Sequence, residues 1–511
     1  MTDPEAGATP ADSNLAHLLW RGASIHGARP AIIEHGSRVD HAGLRDRAAA
    51  IARALTADGI GPGEPVATFL DRGAESAAAF FGILAAGAVA VVINEALRPR
   101  QVEHILTHSG ARRLITTGEM LARLPRALHT DVPVLDPRAI PAAYGANSDP
   151  VERRGSDVAQ IVYTSGSTGA PKGVAVSHGN LNAAADVVTA YLGIEATDRI
   201  AGLLTLSSVY GMSQLLCAVR RGAALVVERA ALPQEIVQTL RREGVTVLAA
   251  VPPLWLRLLN GGGLRDGALP DLRLMTNAGG HLPVDAVRAL RTSQSGARLF
   301  LMYGLTEVLR STFLPPEEVD RRPDSIGRAI PGAEVFLVDE AGRPVAPGET
   351  GELVHRGPTV ALGYWNDPAL SALTFRADPR PVPTGGTVVF SGDLARQDAD
   401  GFLYYVSRKD RVIKAMGYRI GPDEIVDVLH TSGQVSDAEV VGEPDPTWGT
   451  RIVAYVTLAP AGSVAALKAF CARELPRHMQ PARYEVRGAL PLLPSGKHDL
   501  AALTGAAPAA H

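Results

Sequence analysis

Cysteine is nearly absent from this chain: Cys217 and Cys471 stand far apart among 511 residues, with no Cys-x-x-Cys spacing. That excludes a disulfide framework or a cysteine-built zinc site and fits a reducing compartment. Basic blocks are absent too. Lysine and arginine (50) are balanced by aspartate and glutamate (53), leaving a net charge of −3, so nucleic acid finds no electrostatic attraction here. A membrane span is also lacking. The apolar run Ala77–Ile93 is short for one and carries Gly82 and Gly87; it parses as a buried helix to about Ala86, a turn at Gly87 and a strand. Met1–Asn14 is acidic and small-residue rich, unlike a secretory signal, and reads as a frayed tail. The expectation is a soluble, cytoplasmic protein without nucleic-acid partners.

What is present is enough apolar residue, 46%, to bury large cores, in a chain long enough for two or more domains. Helix-period and strand-like runs alternate through the first four hundred residues. Leu44–Ala57 reads as a helix, Pro65–Leu70 as a strand, Arg113–Thr116 as a strand, and Gln234–Glu243 as a helix before the strand Val245–Val251. This βα alternation predicts parallel sheets covered by helices. After about Pro331 shorter β segments follow (Glu334–Asp339, Gly351–Gly357, Val388–Ser391), predicting a small antiparallel β subdomain over about 331–409. Residues 410–511 have helices and strands of their own and predict a separate α+β domain. The fold class expected is α/β: a large N-terminal domain over 1–409 and a small C-terminal one.

The segment carrying most chemistry is Tyr163-Thr-Ser-Gly-Ser-Thr-Gly-Ala-Pro-Lys-Gly173. Gly166 and Gly169 allow close backbone approach with N–H groups turned inward, as in a phosphate nest. Thr164, Ser165, Ser167 and Thr168 add hydroxyls, and Lys172 adds a point charge. The order is wrong for a Walker loop, which needs Gly-Lys-Ser/Thr opening a helix; Pro171 precedes Lys172, and the chain continues strand-like. The flanking apolar residues argue against a flexible Ser/Gly linker. This loop resembles the signature of the adenylate-forming superfamily: acyl- and aryl-CoA ligases, adenylation domains of nonribosomal peptide synthetases, and luciferases.

Further motifs extend the resemblance over nearly the whole chain. Tyr303-Gly-Leu-Thr-Glu307 matches the family motif in which, by resemblance, Tyr303 stacks on adenine, Thr306 donates to the α-phosphate and Glu307 ligates Mg²⁺. Asn277-Ala278-Gly279-Gly280-His281 resembles the adenine-side loop, with a plain turn as the competing reading. Ser391-Gly-Asp393 resembles the family's Thr-Gly-Asp, whose aspartate holds the ribose hydroxyls; an Asp after Gly is otherwise a turn residue. Around the hinge, Arg408 is implied to contact ribose or phosphate, Asp410 to be the pivot, and Gly417 to line the thiol tunnel once the small domain has rotated. Ser407 stands where the family has glycine and Arg411 where it has a second aspartate. Lys497, in Pro-Ser-Gly-Lys, matches the lysine that bridges the attacking carboxylate and the α-phosphate. The implied activity is ATP- and Mg²⁺-dependent activation of a small carboxylic acid as an acyl-adenylate, followed by transfer to a thiol.

The acid and acceptor stay open. The resemblance places the acyl pocket around Ser208, Tyr210, Gly211, Gly280 and Arg310. CoA ligases often carry His or an aromatic where Ser208 stands, and the Asp that holds an amino-acid ammonium is missing there. Arg310 meets either a second acidic group or a structural partner, with the structural reading ahead. Acceptors compatible with these residues are CoA, as the leading one, or a carrier protein acting in trans. A rarer chemistry, activation of nitrite for diazotisation of an arylamine, also fits a polar pocket. A degenerate nucleotide-binding protein is opposed by the intact Thr306, Glu307, Asp393 and Lys497.

Overall fold

The computed structural model describes the chain except residues 1–12, 126–131, 142–148, 165–170, 266, 381–385, 410, 412, 416–417, 446–448, 494–495 and 506–511, and describes the backbone alone at 414, 415, 418, 419 and 449.

Two sheets dominate residues 13–409. One has seven strands, in which Pro65–Phe69 pairs in parallel with both Val89–Val92 and Arg113–Thr116. The other has fourteen, with a parallel run through Ala224–Val227, Arg199–Gly202, Val247–Ala250, Leu274–Asn277 and Arg298–Tyr303. Strands such as Val89–Val92, Ala224–Val227 and Val247–Ala250 are buried at every residue. Helices cover both faces of such sheets, so no alternation of polar residues survives in the strands. Proline opens several helices, at Pro99, Pro233, Pro252 and Pro422, where its missing N–H costs no intrahelical bond.

The apolar run Ala77–Ile93 is a helix, Ala74–Ala85, a turn and a strand, as expected, and almost all of it lies in the core. Gly82 sits where this helix crosses His41–Ala57: a Cβ there would lie 2.7 Å from the Ala48 carbonyl oxygen and 2.8 Å from the Ile51 Cβ. Among the described residues no helix is long and apolar enough to cross a membrane.

The antiparallel β region is found, but it is not a separate sheet. Its strands continue the edge of the fourteen-stranded sheet through the pairing of Thr312–Leu314 with Ser325–Ala329, so it begins before Pro331. The strand expected over Val388–Ser391 runs on to Gln397, placing Asp393 inside a strand rather than in a turn. Residues from Ile413 onward form their own core, in which Ile425, Leu429, Val440, Ala454 and Leu467 fill the space between helices Pro422–Thr431 and Val464–Glu474 and a three-stranded sheet. That is the small α+β region.

Candidate active site

The glycine-rich segment joins two antiparallel strands, Val158–Thr164 and Lys172–Ser177, with Thr164 opposite Lys172. Ser165, Gly166, Ser167, Thr168 and Gly169 lie outside the described residues. The roots of the loop are fastened on both sides: the Tyr163 hydroxyl and a His108 ring nitrogen lie 2.8 Å apart, and a His104 ring nitrogen lies 3.0 Å from the Pro171 carbonyl oxygen.

Beside it, the strand Arg298–Tyr303 ends in a short 3₁₀ turn, Thr306–Val308, with Thr306 and Glu307 both half-buried. Tyr364 donates its hydroxyl to Glu307 Oε1 at 2.6 Å. Burial, then the adjoining Glu307 carboxylate, pushes the Tyr364 pKa up, which keeps the donor protonated. Among the described residues no cluster of three or more His, Cys, Asp or Glu could by itself hold a metal. A lone carboxylate is nevertheless what a magnesium ion needs when nucleotide phosphates supply its other ligands.

Tyr303 donates its hydroxyl to Asp393 and stacks on His355, with ring centroids 5.9 Å apart at 22°. Burial first, and then the Asp393 carboxylate, holds the Tyr303 pKa far up. His355 is pushed down to about 3 by burial, so its ring is neutral, with the Ser311 hydroxyl on Nδ1. Asp393 itself is buried; Arg408 pairs with it at 3.2 Å, and its backbone N–H donates to the Ser391 hydroxyl at 3.0 Å. Nearby, Asn277 and Ala278 are buried, with Asn277 Nδ2 donating to the Gly280 carbonyl at 3.3 Å, while Gly279 and Gly280 are exposed.

The small domain closes the site. Lys497 stands in the company of Asp393, Glu307, Arg408 and Arg411. Water reaches its side chain, yet protein crowds it on most sides. That desolvation lowers the ammonium pKa, Asp393 and Glu307 opposing the shift and the two arginines adding to it. The adjoining Gly496 packs toward Val251 at the end of a parallel strand, and His281 meets Asp427 of the small domain at 2.7 Å. Lys497 is thus presented to the large domain. Asp410 and Gly417 lie outside the described residues. Arg411, the departure noted at the hinge, pairs with Glu439 and donates its backbone N–H to the Arg408 carbonyl at 3.0 Å.

The acyl-pocket residues divide. Ser208 caps the helix Val209–Arg221, accepting from the Gly211 N–H at 3.0 Å and donating to the Thr205 carbonyl at 3.0 Å. A Cβ at position 211 would lie 2.0 Å from that same carbonyl oxygen, so Gly211 is required by the turn itself. Tyr210 is buried, its hydroxyl on Thr276 Oγ1 at 2.6 Å, and its ring faces the Arg310 guanidinium, 4.7 Å from centroid to Cζ. Among the described residues Arg310 has no carboxylate partner, and its Nε and Nη2 have no hydrogen-bond partner. Tyr364, His355 and Glu352, which accepts from the Gly392 N–H at 3.0 Å and from Lys409 at 2.8 Å, were not legible as neighbours of the site. Each reaches the site from a distant strand or turn, with no local motif to mark it.

This combination of two paired strands flanking a glycine-rich segment, a Thr-Glu turn, a strand aspartate and a lysine from the C-terminal region is that of an adenylating enzyme. The chain belongs to the AMP-binding enzyme family, which matches residues 19–365, with the AMP-binding enzyme C-terminal domain matching 424–497. It is an AMP-forming acid ligase of the adenylate-forming superfamily. Sequence relatives include novobiocin biosynthesis protein H of Streptomyces niveus, 32% identical over 96% of this chain and 82% of that protein. Sulfoacetate–CoA ligase of Cupriavidus necator is 31% identical, over 97% of each chain. A probable non-canonical nonribosomal peptide synthetase of Salinispora arenicola is 31% identical over 98% of this chain, which spans 6% of that protein's length. Among solved structures, o-succinylbenzoate CoA synthetase of Bacillus subtilis with its acyl-adenylate superposes at TM-score 0.83 and 26% identity, covering 96% of this chain and 98% of that one.

Proposed function

We propose that the protein is an acyl- or aryl-CoA synthetase: it activates a small carboxylic acid with ATP and passes the acyl group to CoA. The observation that supports this reading is that Asp393, Glu307 and Arg408 lie close enough to Lys497 to act on its charge, as the first half-reaction requires. The substrate carboxylate attacks the ATP α-phosphate and pyrophosphate departs. Lys497 stabilises the charge that builds between nucleophile and phosphate, and Thr306 donates to an α-phosphate oxygen. Asp393 takes the ribose hydroxyls, kept in place by Tyr303 and Arg408. Tyr303 at the same time offers its ring toward the adenine, with Asn277, Ala278 and Gly279 as the adenine-side wall. Thr164, Lys172 and the Ser165–Gly169 loop hold the outer phosphates. Glu307 would hold the magnesium ion, which neutralises phosphate charge when bound.

The chain divides near residue 409, with Asp410 as the pivot. For the thiol step the small domain swings, Lys497 withdraws and the segment around Gly417 replaces it. Relatives that act on sulfoacetate and o-succinylbenzoate with CoA support CoA as acceptor. The match to a peptide synthetase, together with Ser208 in place of a bulkier gate, supports a carrier-protein thiol as the second reading. Pyrophosphate release across a panel of acids, with and without CoA and with mass spectrometry of the products, separates the two. A CoA thioester is expected; acyl-AMP accumulating in the presence of CoA would move the acceptor to a carrier protein, or, with nitrite as the active anion, to an arylamine.

A further inference from the structure

Arg310 is the only lysine or arginine that is buried among the described residues, at 4% exposure. Other inward-facing cations have counter-ions: Arg72 has Glu95, Arg273 has Asp198 and Arg411 has Glu439. Arg310 has none. Its Nη1 reaches the adjoining Leu309 carbonyl oxygen at 3.5 Å, and its Nε and Nη2 have no hydrogen-bond partner. Its surroundings are neutral: the Tyr210 ring face, Cys217 and the Tyr191 hydroxyl, a neutral oxygen toward which the guanidinium is directed and which is not a counter-ion. An aromatic face attracts a guanidinium but does not replace an anion in a dry site. The backbone is bent to hold it there. Leu309, at φ +52°, makes a tight γ-turn in which the Arg310 N–H meets the Val308 carbonyl at 2.5 Å, and Thr359 donates its hydroxyl to the Arg310 carbonyl at 3.1 Å. Such strain persists where the surroundings over-determine it.

Arg310 and Lys497 come to the site on different elements. Arg310 faces the ring of Tyr210, on the helix Val209–Arg221, whose hydroxyl meets Thr276 at 2.6 Å, whereas Lys497 is carried by the small domain next to Gly496, which packs toward Val251. These are two separate cations. Resting on the ligase reading above, we propose that Arg310 is the receptor for a second oxyanion on the substrate. The acid activated is dianionic: one carboxylate reacts near Lys497, and a carboxylate or sulfonate at the far end is held by the Arg310 guanidinium, whose planar fork suits either group.

The test uses isosteric pairs in ATP–pyrophosphate exchange with the full chain: malonate against 3-methylbutyrate, succinate against 4-methylpentanoate, phthalate against 2-isopropylbenzoate, and sulfoacetate against 3,3-dimethylbutyrate. The wild type is expected to favour the dianion in at least one pair by about 100-fold or more in kcat/KM, because a site built for a polar group rejects the analogue lacking it. The sulfoacetate pair distinguishes a sulfonate from a carboxylate. In Arg310→Met that preference should collapse to within a few-fold. Melting without ligand gives a readout independent of turnover. Removing an uncompensated buried charge should raise Tm by about 2 °C or more, whereas removing a structural arginine lowers it. Preference for the monoacid in every pair, a preference unmoved by Arg310→Met, or a lowered Tm overturns the proposal and leaves the ligase reading intact. Equal loss with both members of a pair in folded Arg310→Met also overturns it, by assigning Arg310 to the reacting carboxylate. Silence of the wild type with every acid strikes the ligase reading itself.

Discussion

Lys497 brings a positive charge to a cleft that already holds Asp393 and Glu307, and the mechanism asks that charge to act only while the adenylate forms. Lys497→Ala is expected to slow acid-dependent pyrophosphate release by roughly 10²–10³-fold, the usual cost of losing one preorganised donor at a developing charge. Thioester formation from pre-made acyl-AMP should be nearly unchanged, and an equal loss in both half-reactions would remove Lys497 from its role. The lowered pKa adds a pH signature. Desolvation favours the neutral amine, so adenylation should fall on the alkaline side earlier than an exposed lysine would dictate, and Lys497→Arg should move that limb upward. Asp393→Asn removes the negative charge and one of the two acceptor oxygens that Tyr303 and Arg408 orient; KM for ATP should rise roughly 10- to 100-fold with a smaller change in kcat, read by initial rates. Residues of this kind could be singled out in sequence because each sits in a short motif. Tyr364 and His355 were not, since nothing local distinguishes them from core aromatics. Arg310 was named with two readings, and the sequence could not separate them, because whether an arginine has a counter-ion is a fact of three dimensions.

Secondary-structure elements were legible where burial is uniform and Gly or Pro punctuates the chain. The strand Arg113–Thr116 has the expected limits, and the helix Pro233–Arg242 lies within one residue of the expected Gln234–Glu243 at each end. Joining of sheets was not legible: the β region after Pro331 has the expected texture, but its attachment through Ser325–Ala329 depends on a pairing between separate stretches of chain. The turn that bears Lys497 shows how such pairing serves the site. Leu493 donates its N–H to the Lys497 carbonyl at 2.7 Å, and the next residue, His498, lies between Asp437 at 3.2 Å and Glu439 at 2.9 Å on a strand of the small domain. Burial lowers the His498 pKa, but the hydrogen bonds and charges of Asp437 and Glu439 outweigh it and raise the value to about 9. Its folded value lies above its unfolded one, so its stabilisation, on the order of 3 kcal/mol, is fully present below about pH 6.5 and is lost as pH rises toward 9. Melting temperature should therefore decline across that window in the wild type. His498→Gln should start lower and lose most of that slope; a mutant retaining the wild-type slope would exclude this anchor.

At the scale of the whole molecule the proposed function requires the two domains to be held together firmly enough for adenylation and released readily enough for the thiol step. The contact best suited to setting that balance is His281 with Asp427, a 2.7 Å bond joining the adenine-side loop to the helix Pro422–Thr431. Desolvation opposes charge on His281, but Asp427 through its hydrogen bond and charge, with Asp423 and Asp324 behind it, raises the pKa above the ordinary value. The docked form then binds a proton that the rotated form holds less tightly. Docking is strongest below about pH 6.5 and weakens as pH climbs through the raised value. Losing the pair should cost the docked orientation about 1–2 kcal/mol, a factor of roughly 5–30 in its population relative to the rotated one. His281→Ala is accordingly expected to slow adenylation and to quicken thioester formation from pre-made acyl-AMP, shifting the ratio of the two rates by up to that factor. The variant should also lose the part of the wild type's pH dependence in that ratio that His281 supplies, while the contribution of Lys497 remains. Dyes placed on the two domains would report the same shift as a change in energy transfer. If both rates fall together, or the ratio keeps its full pH dependence without His281, the orientation is governed by other contacts, with the packing of Gly496 against Val251 the next to test.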